Sequence, residues 1–377
     1  MPDRITTSDE LRDYAATDRR EPIAPETFRA RLVRSLEKVP RALVRRHTFR
    51  SLPAGSTGWV DTGLEVPAGG AVTLFTTAQP DNSADTGEDV DHDLAFWRRI
   101  SAESEARRGV WHRIGPDDVP RRGARASTTV VAPRAGSLQL ATSPAVDYQP
   151  PPVDRLVLAV HWAGDPAEGL RALRAAGDVG GIVDAEIARR RAVLELPGGW
   201  HYPPLAGECE QFVADGAIIG CYSRRNGALL RKDATLALLP GTTLCWAWRM
   251  VRLPSDRRED RLATHDYLSI AVEFDNGRDL TYCWSAELPI ETAYHCPVPG
   301  WENRETHVVV RSGDVGLGHW CDEERDVYAD YTRHVGEPPS RITGLWLLAS
   351  TFRQGGEGQC DYRRIKLCQD GARVRLN

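Results

Sequence analysis

Three strand-like runs between Thr243 and Ser285 constrain this chain more than any other feature. TLCWAWRMVRL, THDYLSIAVEFDNG and RDLTYCWSAEL alternate in side-chain character and are joined by polar turns. A period of two sends successive side chains to opposite faces of a strand. In the middle run Leu268, Ile270, Val272 and Phe274 take one face, and His265, Tyr267, Ser269 and Glu273 take the other. Such a two-sided pattern predicts a β-sandwich in which an apolar face packs into a core and a polar, aromatic face floors a ligand groove. The same parity sets Arg249 opposite Trp246 and Trp248, groups Tyr282 with Trp284, and groups Glu305, His307, Val309 and Arg311. Parity alone leaves open which of these sets faces the core.

At 377 residues the chain is too long for one simple sandwich and suits two domains, each able to bury a core without disulfides or metals. Its 48 basic and 53 acidic residues give a net charge of -5, so no basic field exists for nucleic acid or an anionic membrane. Lys38, Lys232 and Lys366 are the only lysines, which argues against Schiff-base chemistry. No apolar run approaches the ~20 residues that span a bilayer, and MPDRITTSDELRDY lacks a signal-peptide core. The expectation is a cytoplasmic protein. All eight cysteines fall between Cys209 and Cys368 without a CxxC pair, which predicts free, buried thiols.

The chain reads as four segments. Residues 1–48 form a helical N-terminal arm, with Phe28, Leu32, Leu36 and Val39 at helical spacing. Residues 49–162 are short Gly- and Pro-punctuated strands of a first sandwich. Residues 163–197 are a helical connector, with Leu170 and Leu173 on one side. Residues 198–377 form a second sandwich that carries the candidate ligand or active site. The fold class is therefore mainly β: two β-sandwich (jelly-roll) domains with a helical arm and a helical connector. The acidic insertion Asp81 to Asp93, which includes Asp89 and Asp91, lacks EF-hand spacing and reads as a solvated loop.

The Gly58-Trp59-Val60-Asp61-Thr62-Gly63 run, Trp111 with Arg113-Ile114-Gly115, and Gly136-Ser137-Leu138-Gln139-Leu140 resemble the galactose-binding LecA-like lectin fold over about a quarter of the chain. That resemblance implies a small jelly roll with a calcium site after the Gly-x-Leu strand. Calcium needs several hard oxygen ligands. The corresponding stretch offers one carboxylate, Asp147, so Asp147, Asp89 and Asp91 are the calcium candidates.

In the second half, Leu244 to Arg249, His265-Asp266-Tyr267 leading to Phe274, Leu280 to Ser285, Trp320 with Glu324 to Val327 and Asp330-Tyr331, and the Trp346 and Ile365 strands resemble the bacterial family DUF3047. Members of that family usually carry Asp-Asp-Tyr where this chain has His265-Asp266-Tyr267. The resemblance implies a concanavalin-like or carbohydrate-binding-module-like sandwich and no assigned activity.

The polar sets define a catalytic hypothesis. His265 or His307 serves as general base or acid, Tyr267 or Glu273 as its partner, and Arg249 or Arg311 as the donor to an anionic or carbonyl oxygen. Asp266, Tyr282 and Trp284 complete the candidate substrate contacts. His265, His295 and His307 do not match a known zinc spacing. Two functional readings follow. The first is an enzyme of lyase, cyclase or isomerase type, acting on a polyhydroxylated or secondary-metabolite small molecule and requiring no cofactor, with calcium as an accessory ion. The second is a non-catalytic carbohydrate- or ligand-binding protein.

Overall fold

The computed structural model describes residues 3–16, 23–53, 56, 58–77, 110–123, 125–142, 154–203, 209–298, 300–351, 353–369 and 372–375. The calcium candidates Asp89, Asp91 and Asp147 lie outside them. The fold is mainly β, with two compact units. One comprises residues 1–3 and 15–193, the other residues 4–14 and 194–377.

The first unit pairs two four-stranded sheets. One runs Val44–Leu52, Arg155–Trp162, Ala71–Thr76, Ser127–Val131; the other runs Val60–Val66, Gly136–Ala141, Trp111–Ile114, Arg121–Arg122. Leu64, Val66, Leu74, Ile114, Leu138 and Val157 fill the space between them. The first sheet also buries its other face. Phe75, Leu158, Val160 and Trp162 meet Phe28 and Leu32 of the helix Pro25–Lys38, Leu170 and Leu173 of Pro166–Ala176, and Val183 of Ile182–Arg191. All eight residues of Arg155–Trp162 are buried, as a strand covered on both faces requires. The segment expected to be a connector is therefore largely part of this unit. Gly169 permits the contact, because a Cβ there would lie 2.2 Å from the Trp162 ring.

The expected N-terminal arm is likewise divided. Pro25–Lys38 belongs to the first unit, whereas residues 4–14 belong to the second. Gln359 Nε2 donates to Ser8 Oγ at 3.0 Å, and Leu11 is buried. Gly220 allows this approach, since a Cβ there would come within 2.7 Å of the Ser8 backbone nitrogen.

The second unit stacks two larger sheets. The seven-stranded sheet runs Trp200–His201, Gly227–Ala237, Arg341–Ser350, Tyr267–Phe274, Asp279–Ser285, Glu305–Ser312, Ala293–His295. Asp279–Ser285 and Glu305–Ser312 pair in parallel; the other recorded pairings in this sheet are antiparallel. The facing sheet runs Phe212–Asp215, Ile218–Arg224, Glu357–Gln369, Thr243–Arg252, Cys321–Asp326. Leu268, Ile270, Val272 and Phe274 join Trp246, Trp248, Leu280, Tyr282, Trp284, Val308, Leu345 and Leu347 in one core. That settles the question of faces. The opposite face of the seven-stranded sheet carries Tyr267, Ser269, Thr281, Cys283, Glu305 and His307.

Candidate functional site

Three separate stretches bring the site together. Glu305 and His307 alternate on Glu305–Ser312 and so point the same way. Tyr294 pairs with His307 on the edge strand, and the next residue but one, Cys296, donates its backbone N–H to the Glu305 carbonyl at 3.0 Å. His265 ends the short helical turn Leu262–Thr264 that leads into Tyr267–Phe274. The result is a group of His265, Cys296, Glu305 and His307 with one donor atom from each within 4.8 Å of the others. None of the four is more than 5 % exposed.

Hydrogen bonds fix the group from outside. Tyr267 donates its phenol to Glu305 Oε1 at 2.9 Å, and Thr281 donates to the same oxygen at 3.2 Å. His307 Nε2 lies 3.2 Å from it, at ion-pair distance. Neither ring nitrogen of His307 has a hydrogen-bond partner among the described residues. His265 Nδ1 is 3.2 Å from the Glu259 carbonyl, which assigns the proton to Nδ1 and leaves the Nε2 lone pair facing Cys296 Sγ at 3.7 Å. Tyr294 stacks on His307 with ring centres 4.7 Å apart.

The electrostatics follow from dryness. Burial, reinforced by His307 and Arg353, holds His265 well below the usual imidazole range. Burial pushes the Glu305 carboxyl up, but His307 and His265 outweigh it and hold the group below the usual carboxylate range. Burial, then the Glu305 charge, raises the Tyr267 phenol and likewise the Cys296 thiol. Glu259 is pushed up to about 7 by burial, although Ser285 and the Ala286 N–H both donate to it. Its carboxylate tethers the segment that leads to Cys296 while its carbonyl holds His265.

His265, Tyr267 and His307 thus meet, with ring centres 4.6–5.2 Å apart, and the other candidates do not join them. Glu273 shares their face but sits farther along the strand, bonded to Arg231 at 2.9 Å. Asp266 turns away and accepts the backbone N–H groups of Arg353 and Gln354 at 3.1 and 2.7 Å; burial pushes its pKa up to about 6. Tyr282 and Trp284, read as groove residues, belong to the core. Tyr282 donates to Asp330 at 2.9 Å and Trp284 to the Gly313 carbonyl at 2.9 Å. Arg249 is on the outer face of the other sheet, paired with Asp361 at 2.5 Å. Arg311 departs from its expected face because the pairing slips by one residue between Cys283 and Trp284. It stacks over Trp284 and pairs with Glu323. His295 is exposed, while its neighbour Cys296 faces the group.

Comparison with known proteins bears on 157 of the 377 residues. Residues 210–366 match the DUF3047 family, described as a protein of unknown function. The four grouped residues all fall inside the DUF3047 region; the first sandwich falls outside it. No curated protein matches. Among solved structures, the xyloglucanase domain of NopAA, a type three effector from Sinorhizobium fredii, is 7% identical over 40% of this chain and 83% of its own, with a TM-score of 0.27. An endo-1,4-β-xylanase from Trichoderma reesei is 7% identical over 47% and 96%, with a TM-score of 0.21. The CUB1-EGF-CUB2 domain of human MASP-1/3 is 10% identical over 84% and 99%, with a TM-score of 0.16. Scores this low carry no argument.

Sequence reading missed Cys296, Glu259 and Arg353 and did not single out Glu305. The Glu305-x-His307 alternation was a usable signal for Glu305, since it places a carboxylate beside a histidine already chosen. Cys296 and Glu259 sit in irregular chain, where no periodicity announces a direction. Arg353 donates to the His265 carbonyl at 2.8 Å across 88 residues of sequence, a contact that only the folded sheet creates.

Proposed function

We propose that the DUF3047 region is an enzyme that moves a proton on a small hydroxylated molecule, in an elimination, isomerisation or cyclisation, without an organic cofactor. The carrying observation is the convergence of two imidazoles, a carboxylate and a phenol on a dry face of the seven-stranded sheet. Buried polar groups that lack full hydrogen bonding cost stability, on the order of 1–3 kcal/mol each. Their concentration at one place fits a site kept for chemistry. The Tyr267 phenol supplies the transferable proton, and its hydrogen bond to Glu305 orients it. Glu259 and Leu288 belong to the segments over this face, so turnover requires those segments to open, as lids do.

The alternative of a non-catalytic glycan binder needs an exposed aromatic platform. Of the four tryptophans at alternating strand positions, Trp246, Trp248 and Trp284 are core residues and Trp346 is half-buried under Arg231, which favours the enzyme. The test is a screen of hydroxylated and polyketide-like compounds with wild-type protein and Tyr267→Phe. The expected result is turnover by the wild type and a loss of about 10²–10⁴-fold in kcat in a folded Tyr267→Phe protein, the usual worth of a positioned acid or base. Equal turnover by both proteins removes Tyr267 from the mechanism. Binding of sugars without turnover by either supports the binder.

A further inference from the structure

We infer that His265, Cys296, Glu305 and His307 form a site for one first-row transition-metal ion, with zinc the best fit to the donors. The argument begins with distance. Zinc bonds of about 2.0–2.3 Å in a tetrahedron put donor atoms roughly 3.3–3.8 Å apart. His265 Nε2 and Cys296 Sγ are 3.7 Å apart, and His307 Nε2 and Glu305 Oε1 are 3.2 Å apart. With the whole set inside 4.8 Å, adjustments of about an ångström centre it on an ion.

Orientation supports the same conclusion. A metal-ligating histidine is usually held by its other ring nitrogen, often through a backbone carbonyl. His265 has that arrangement: Nδ1 is on the Glu259 carbonyl and Nε2 is aimed into the group. Glu305 is held by Tyr267 and Thr281, as ligating carboxylates are by their outer neighbours. His307 provides an independent observation. It is fully buried, and neither ring nitrogen has a hydrogen-bond partner among the described residues. An imidazole sealed from water with no hydrogen bond is costly unless something else takes its lone pair.

The donor types select the ion. Calcium and magnesium take oxygen ligands and avoid thiolate. Two imidazoles, a thiolate and a carboxylate suit zinc and its first-row neighbours. This site differs in chemistry from the calcium expectation, whose candidates Asp89, Asp91 and Asp147 lie outside the described residues. It also deepens the proposed function, and rests on it only for the role in catalysis: zinc sites can expand to five-coordinate, so a substrate oxygen can join the ion while Tyr267 remains the proton-transfer group. Occupancy itself does not depend on any activity.

The experiment uses the full chain purified without chelators or metal-affinity resin. Elemental analysis is expected to give about one equivalent of a first-row metal. After chelation, added Zn²⁺ restores the melting temperature, and added Co²⁺ gives the visible bands of a four-coordinate site with a thiolate-to-cobalt band in the near ultraviolet. Cys296→Ser removes the thiolate band. His307→Gln lowers stoichiometric binding, and Tyr267→Phe weakens affinity by about 10–100-fold through Glu305. Circular dichroism confirms that each variant is folded. Wild-type protein that binds neither Zn²⁺ nor Co²⁺ overturns the inference, as does Co²⁺ binding whose spectrum is unchanged in Cys296→Ser. Full turnover by metal-free protein overturns the ion's role in catalysis and leaves the enzyme reading intact. Stoichiometric metal with no turnover of any compound supports the metal site and counts against the enzyme reading.

Discussion

His112 in the first sandwich and His307 in the second are both sealed from water, yet they keep different company. His112 sits on Trp111–Ile114 with its Nδ1 3.4 Å from the Val110 carbonyl, and it belongs to no group of donor side chains among the described residues. His307 stands beside Glu305, His265 and Cys296. A lone buried imidazole is explained by packing and one backbone contact. A second imidazole, a carboxylate and a thiol within 4.8 Å are not explained that way. The difference teaches that burial of a histidine says little by itself, and that the identity of its neighbours decides between scaffold and site.

The comparison breaks most visibly if core and site have been confused. Trp284 packs 5.8 Å from Trp248 in the second core. Trp284→Ala is expected to destabilise the protein by about 3–5 kcal/mol in urea unfolding. Wild-type stability with lost ligand binding would return Trp284 to the groove.

The next largest effect belongs to His112. Burial lowers its pKa from 6.5 to about 4. The folded state thus resists protonation that the unfolded state accepts, so stability rises with pH. The His112 contribution is complete above pH ~6.5 and is lost progressively as pH falls from there to about 4, a total of about 3 kcal/mol. His112→Gln is expected to flatten that part of the stability-versus-pH curve. An unchanged slope in the variant would mean that His112 is not neutral in the fold.

The smallest effects test whether the two units are built alike away from the site. Asp165 accepts the Ala167 N–H at 2.9 Å, and Asp326 accepts the Ala329 N–H at 2.9 Å, each at a helix start. Replacing either with alanine is expected to cost about 1 kcal/mol in chemical denaturation. A loss of several kcal/mol at one cap and none at the other would show that one helix is held by something other than its cap.

Much of the fold was legible because alternation survives in the sequence. Leu268 to Phe274 marks a strand with one apolar face, and Leu170 and Leu173 mark a helix. What alternation does not carry is the partner of each face. Tyr282 and Trp284 look like a binding surface until the facing sheet supplies Trp246 and Trp248. Arg311 was assigned to the wrong face by a one-residue slip that no local pattern reveals. Of the site, His265, Tyr267 and His307 were legible from parity. Cys296 was not, because the chain around it obeys no period.

The most direct test of the central claim, that the second sandwich holds a metal centre at His307 whereas His112 of the first is scaffold, is anomalous diffraction at first-row absorption edges from crystals grown without chelator. The account predicts one strong peak within bonding distance of His265 Nε2, Cys296 Sγ, Glu305 and His307, and none at His112. A refined structure with no peak there, and with His307 satisfied by a direct hydrogen bond to Glu305, would contradict it.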